Sequence, residues 1–204
     1  MYDYIVVGGG SAGCALAARL SEVPDIKVLL LEAGPPDRNP YIHMPVGFFR
    51  MTSGPLTWGL KTVPQKHACN REIPYAQARV LGGGGSINAE VFTRGCPEDY
   101  DAWATEHGCD GWSFAEVLPY FLRSEDNDTL SGPYHGQGGP LGVSNLSPPH
   151  PLTRAFVKSC QDIGMPYNPD FNGPRQEGAA PYQTTIRNAR RCSAAVGYLR
   201  PALS

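Results

Sequence analysis

Along the chain, hydrophobic and polar positions change period several times, and each change marks a predicted element. Residues 4–7 (YIVV) form a short unbroken apolar run, which predicts a strand buried on both faces. Glycines interrupt it at once. Residues 14–20 (CALAARL) are rich in helix formers, and Gly13, Ala17 and Leu20 fall at helical spacing. Residues 21–25 break that helix, and residues 26–31 (IKVLLL) predict a second buried strand that Glu32 ends. Residues 35–64 read as loop, with Pro35, Pro36, Pro40, Pro45 and Gly54-Pro55. Helical spacing returns over residues 99–105 and 114–124. Ser113 stands three residues before Glu116, which predicts a capping box, and Val117, Tyr120 and Phe121 predict an apolar face. Residues 127–142 are polar and glycine-rich and predict a surface excursion. Residues 141–143 predict a strand, and the prolines 148, 149 and 151 a boundary. Residues 152–163 predict an amphipathic helix with Leu152, Phe156 and Cys160 aligned, residues 168–173 a turn-rich loop and residues 180–186 an edge strand. Residues 193–199 predict a last helix closed by Pro201.

The first strand, the glycines and the helix after them carry chemistry. Gly8, Gly10 and Gly13 satisfy G-x-G-x-x-G between a predicted strand and a predicted helix. Gly8 permits a tight turn, Gly10 lets backbone approach a pyrophosphate, and Gly13 lets the helix pack closely on the strand. Ser11 and Ala12 open the helix, whose N-terminus offers free N–H groups and positive dipole to phosphates. Glu32 follows the second strand at the place suited to the adenosine ribose hydroxyls, with Ala33 beside it. A carboxylate there disfavours a 2′-phosphate. The unit predicts dinucleotide binding without choosing between FAD and NAD.

A second glycine stretch lies in residues 78–101, ARVLGGGGSINAEVFTRGCPEDYD. Four successive glycines, Gly82 to Gly85, do not suit a helix or strand interior, and they fit a backbone that runs close to a ligand. Ser86 and Asn88 add small hydrogen-bonding groups, and Ile87, Val91 and Phe92 an apolar anchor. This stretch resembles the first signature of the glucose–methanol–choline oxidoreductases at Arg79, Leu81, Gly82, Gly83, Ser86, Ile87, Asn88, Phe92, Gly95 and Asp101. The likeness runs the length of the chain, through residues 39–47 (NPYIHMPVG), Trp58, Trp103, Gly111-Trp112, residues 171–173 and residues 191–203. It is nearest in character to bacterial alcohol dehydrogenases and choline dehydrogenases that pass electrons to an acceptor other than NAD.

The resemblance implies an α/β fold: an incomplete Rossmann-like FAD-binding domain with a parallel sheet over residues 1–147, the start of an α+β substrate domain over 148–188, and a return to the FAD-binding domain over 189–204. It implies FAD contacts at Arg79, Gly83, Gly84, Asn88, Ala89 and Val91. Some relatives attach FAD through a His where this chain has Ile87, so the resemblance implies non-covalent FAD. It implies a flavin-dependent oxidoreductase acting on CH–OH groups of alcohols, with an alcohol substrate and quinone or oxygen as electron acceptor. The family's catalytic His lies near the C-terminus of a much longer chain, so these residues are expected to be an inactive fragment with no catalytic residue. The alternative is a stand-alone, non-catalytic dinucleotide-binding module; an NAD-linked dehydrogenase is opposed by the second glycine motif. The sequence departs from the family pattern at Gly84 and Gly85, at Ala189, and at Glu90, where an apolar residue is common.

Composition narrows the remaining classes. The chain has 204 residues, with 24 Gly and 20 Pro, too many for a helical bundle. A net charge of −2 and the lack of a basic stripe argue against nucleic acid. The RNARR cluster at 187–191 is expected to be a local contact or solvated turn. No run approaches a membrane span, and the first apolar run has no basic region before it, so a cytoplasmic protein is expected, with peripheral association at the inner membrane left open. Six cysteines without a C-x-x-C pair are expected as free thiols, with no metal site. His43 is expected to be structural, and His67, His107, His135 and His150, in polar loops or turns, to be surface or structural residues.

Overall fold

The computed structural model describes residues 1–203, which form two compact units. One comprises Met1–Glu90 together with the return of the chain from Ile186, the other Val91–Thr185.

In the first unit β1 (Tyr4–Val7), α1 (Ser11–Leu20) and β2 (Val28–Leu31) follow in order, and the strands pair in parallel from Tyr4 opposite Val28 to Val7 opposite Leu31. α1 approaches closely because the side it buries is small: Cys14, Ala17 and Ala18. The β1 run is a strand as predicted, but it is not buried on both faces. Only Val6 is buried, while Ile5 and Val7 are 60% and 83% exposed. α1 lies on the Val6 side, and no described element of this unit covers the other. β2 begins two residues later than predicted, because Lys27 joins the chain start instead: its N–H donates to the Asp3 carboxylate at 2.8 Å and its carbonyl accepts from the Asp3 N–H at 2.9 Å.

Residues 35–64 hold more structure than a loop. α2 (Pro40–His43) starts at Asn39, whose side chain accepts from the Tyr41 N–H, and a 3-10 segment, Pro45–Arg50, follows. β3 (Leu60–Lys61) pairs antiparallel with β4 (Pro74–Tyr75). Ile42, Met51, Leu56, Val80 and Ile87 form one apolar core under these segments. The glycine run becomes a 3-10 turn, Gly83–Ser86.

The second unit contains α3 (Pro97–Glu106), α4 (Phe114–Ser124), β5 (Glu125–Asn127), β6 (Leu141–Asn145), α5 (Pro151–Asp162) and β7 (Gln183–Thr184). The capping box at Ser113 and Glu116 forms. Hydrogen bonds from the Ser113 hydroxyl and N–H hold the Glu116 carboxyl below its usual range. On the predicted apolar face of α4 Val117 is buried, but Tyr120 is exposed. The sheet order is β5-β6-β7, parallel then antiparallel. Residues 127–142 are mostly exposed or half-buried, as a surface excursion is, but Asn127, His135, Gly136 and Gly142 within them are buried. His135 takes the structural one of its two expected roles: its ring nitrogens lie 3.1 Å from Glu125 Oε1 and 2.9 Å from Asp170 Oδ2. Arg94 pairs with Glu125 in the same buried cluster. α5 forms as predicted, with Leu152 and Phe156 left exposed.

The chain returns to the first unit through β8 (Ile186–Arg187) and β9 (Arg190–Arg191), an antiparallel pair, then a π-helical turn, Ala195–Leu199, and α6 (Arg200–Ala202). Pro201 sits inside this last helical turn instead of closing it. Ala194, Ala195 and Leu199 pack with Cys14 of α1 in a second core. The RNARR cluster is both of the things expected of it: residues 188–190 are an exposed turn, and Arg191, 1% exposed, makes protein contacts. The compact units divide after Glu90 and after Thr185, whereas the expected domain limits were 147–148 and 188–189. The Pro148 cluster falls within the second unit, where β6 and β7 still pair across it.

Candidate active-site half: a dinucleotide crevice

The sharp turn after β1 is built by Gly8, at φ 96°, whose N–H donates to the Leu31 carbonyl at 2.7 Å. α1 then begins with Gly10 as its N-cap and no side-chain cap. The Cys14 N–H finds the Gly10 carbonyl at 2.9 Å, but those of Ser11, Ala12 and Gly13 make no hydrogen bond among the described residues. These are the orphan donors of a helix N-terminus, and all three residues line one cavity. Gly13 is required by packing, because a Cβ there would collide with the Gly8 carbonyl oxygen.

The second glycine stretch docks on the first. The Gly82 N–H donates to the Gly9 carbonyl at 2.7 Å, and a Cβ on Gly83 would lie 2.7 Å from the Gly10 Cα. The Ser86 hydroxyl closes the turn on the Leu81 carbonyl at 2.8 Å. The two motifs thus share one cavity of about 1150 Å3, lined by Gly8, Gly10, Ser11, Ala12, Gly13, Glu32, Ala33, Gly83 and Gly84 among others. A Cβ built on Gly8 or Gly84 meets nothing within 4 Å, so the cavity, not the protein, occupies the space beside them.

Glu32 is fixed at the cavity wall. Its Oε2 accepts the Gly9 N–H at 2.7 Å and its Oε1 the Gly34 N–H at 2.7 Å. Each oxygen keeps acceptor capacity for a hydroxyl. The Cys14 thiol donates to the Gly9 carbonyl at 3.2 Å, and burial pushes its pKa up, so it stays a neutral thiol under the turn.

The other sequence-predicted residues lie apart from this cavity. Arg79 is exposed, with its guanidinium 5.5 Å from the Trp58 ring centroid. Asn88 and Ala89 are exposed beyond the glycine turn, and Val91 opens the second unit. Trp58, Gln77, Ala78 and Val80 line the cavity without having been predicted; a lone Trp beside a glycine gave no periodic signal. An apolar stretch of the wall comes from Tyr4, Ile5, Leu16, Leu20 and Leu31. His43 is tied by Nε2 to the Asp37 carbonyl at 2.7 Å, and His150 caps α5. No histidine lines the cavity.

Glu90 is 2% exposed and held at φ 64°. Its Oε1 lies 3.3 Å from the Arg191 Nε. Burial raises its pKa, with Arg191 opposing, and burial lowers that of Arg191, with Glu90 opposing.

The cavity suits an extended dinucleotide: orphan N–H groups for phosphates, a carboxylate for ribose, and open space beside the glycines. The structure thus defines a dinucleotide-binding β-α-β unit joined by a second glycine turn. The chain belongs to the GMC oxidoreductase family, which it matches over residues 2–204. It is 43% identical over 205 residues to an alcohol dehydrogenase [acceptor] of Pseudomonas putida, covering 100% of this chain and 37% of that protein. It is 42% identical over 202 residues to an oxygen-dependent choline dehydrogenase of Brucella anthropi, covering 98% of this chain and 37% of that one. Among solved structures, pyridoxine 4-oxidase from Mesorbium loti superposes with a TM-score of 0.93 at 36% identity, over 98% of this chain and 39% of that chain. An FAD-dependent oxidoreductase from Chaetomium thermophilum does so with 0.87 at 31%, over 98% and 36%. The chain spans little more than a third of the length of these relatives. No helix of the described residues is long and apolar enough to cross a membrane, and no group of three or more His, Cys, Asp or Glu among them is placed to hold a metal.

Proposed function

We propose that this chain is the FAD-binding portion of a flavin-dependent oxidoreductase acting on the CH–OH groups of alcohols. The observation that carries this reading is the meeting of two sequence-distant glycine stretches, Gly8 to Gly13 and Gly82 to Gly85, on one cavity beside Glu32. FAD, when bound, supplies the acceptor for a hydride that leaves the alcohol carbon, at flavin N5.

The chain's own residues bind and orient. The N–H groups of Ser11, Ala12 and Gly13 and the positive end of α1 hold the diphosphate. Gly8, Gly10, Gly83 and Gly84 let it come close, and Glu32 and Ala33 receive the adenosine ribose. Arg79, Asn88, Ala89 and Val91, which do not line that cavity, are read from the family resemblance as further FAD contacts. The Ile87 side chain is packed in the apolar core and has no nucleophile, which supports non-covalent FAD. No histidine among the described residues lines the cavity, which supports a division of labour: cofactor binding here, proton abstraction elsewhere in the whole protein. That protein would use an alcohol and an electron acceptor such as quinone or oxygen. Residues 148–188 are read as the start of its substrate domain, and peripheral membrane association and a cytoplasmic location are part of the same reading.

Titration of the protein with FAD, followed by quenching of flavin fluorescence, tests it. Saturable binding that NADH does not displace is expected. Tight NADH binding with no affinity for FAD would overturn the reading. In the whole protein, an alcohol added without oxygen should bleach the flavin absorbance.

A further inference from the structure

Asn88 sits at the end of the glycine turn, with its side-chain amide held from one side only. Its Oδ1 accepts the Arg191 Nη1–H at 2.8 Å and the Glu90 backbone N–H at 3.0 Å. Both partners are donors, so the atom facing them is the oxygen, and the amide cannot be flipped without placing donors against donors. Nδ2 is consequently turned away from these partners, and it makes no hydrogen bond among the described residues.

Arg191 is itself held on several sides. Its Nε donates to the Ile42 carbonyl of α2 at 2.7 Å, and its Nη1 also reaches the Gly85 carbonyl at 3.3 Å. Glu90 supplies the counter-charge, with both side chains almost wholly buried. One guanidinium therefore links α2, the glycine turn, Asn88 and the residue that ends the first unit. A Lys ammonium lacks the planar fork needed for this. Glu90 meanwhile carries the two penalties of a left-handed backbone and a buried carboxylate. Both are tolerated at the residue whose N–H and carboxylate act on the Asn88–Arg191 contact.

We propose that Arg191 and Glu90 are positioning residues that lock the Asn88 amide with its NH2 outward, as a hydrogen-bond donor to an acceptor atom of the bound cofactor. The proposal rests on the reading that this turn faces FAD. Neither Arg191 nor Glu90 need touch the ligand. The chain thereby sets the polarity of a hydrogen bond that the glycine backbone alone cannot set.

The lead variant is Asn88→Asp. It keeps an oxygen for Arg191 and the Glu90 N–H but replaces the outward donor by an acceptor. Expected are an unchanged unfolding midpoint and FAD binding weaker by about tenfold or more, with a shifted flavin absorption maximum. Asn88→Ala should weaken FAD binding by about tenfold. Arg191→Lys should do the same, and the double variant Asn88→Ala/Arg191→Lys should lose no more than either single one. Should Arg191→Lys fail to fold, Glu90→Gln takes its place in the cycle. Asn88→Asp binding FAD as the parent does, or additive losses in the double variant, would overturn the proposal while leaving FAD binding intact. A parent protein that binds no FAD would overturn the flavin reading and this proposal together.

Discussion

Gly83 meets Gly10 backbone to backbone: a Cβ on Gly83 would sit 2.7 Å from the Gly10 Cα, and Gly83 has φ 57° besides. Gly84, the next residue, has open space where its Cβ would be and no positive φ. The two substitutions therefore separate packing from ligand space. Gly83→Ala should lower stability by about 2–4 kcal/mol, from the left-handed backbone and the forced separation of the two turns. Gly84→Ala should be neutral or stabilising by about 0.4–1 kcal/mol, because it only restricts the unfolded chain. Urea denaturation of both variants checks this, and equal losses would remove the distinction.

Glu32 links the first glycine turn to the segment after β2 through the Gly9 and Gly34 N–H groups. Glu32→Ala deprives both donors of their partner in a half-buried site. A loss of about 1–3 kcal/mol is expected. Glu32→Gln keeps one carbonyl oxygen for one of the donors and should fall between. Because Glu32 also lines the cavity, FAD affinity should fall in both variants. Denaturation curves and FAD titrations on the same samples test the two roles separately.

The parts of this site that were legible in the sequence are those specified over short distances. Gly8, Gly10 and Gly13 encode their own turn and helix start, and a second glycine run announces a close backbone approach. What was illegible depends on partners far along the chain. The sequence leaves Arg191 open between a local contact and a solvated turn because its counter-ion, Glu90, and its acceptors, Ile42 and Gly85, are supplied by other segments. His135 read as a loop residue for the same reason: only the fold places Glu125 and Asp170 on either side of its ring. The strand at residues 4–7 was identified from its apolar run, but its burial was not, since burial depends on what lies over Ile5 and Val7.

In the second unit Arg94 and Glu125 form a buried ion pair, and the Arg94 Nη1 also donates to the Tyr134 carbonyl at 2.6 Å. Burial lowers the Arg94 pKa, with Glu125 opposing that shift. Arg94→Met leaves a buried carboxylate without its cation and should cost about 3–5 kcal/mol. Adding Glu125→Leu removes that stranded charge, so the double variant should recover part of the loss despite carrying one more substitution. Thermal unfolding of the single and double variants decides it. A double variant less stable than Arg94→Met would mean that the Glu125 bonds to Asn127, His135 and Gly136 outweigh its charge.

Glu90 gives stability a distinct pH dependence. Its folded pKa is raised, with desolvation as the larger cause and Arg191 the opposing one. The folded protein therefore binds the Glu90 proton more tightly than the unfolded chain does. The resulting stability is fully present below the ordinary glutamate value and is lost as pH rises through the elevated folded value. Glu90→Gln imitates the protonated side chain at every pH, so it should not share this loss. Subtracting the variant's denaturation free energy from the parent's, point by point across that range, should give a difference that becomes less favourable to the parent as pH rises. A difference that stays flat, or turns in the parent's favour, would mean that Arg191 outweighs burial and that the carboxylate is favourable on its own account. If the falling difference is found together with weaker FAD binding by Glu90→Gln, the charged form is retained at the expense of stability for what it does to Arg191 and Asn88.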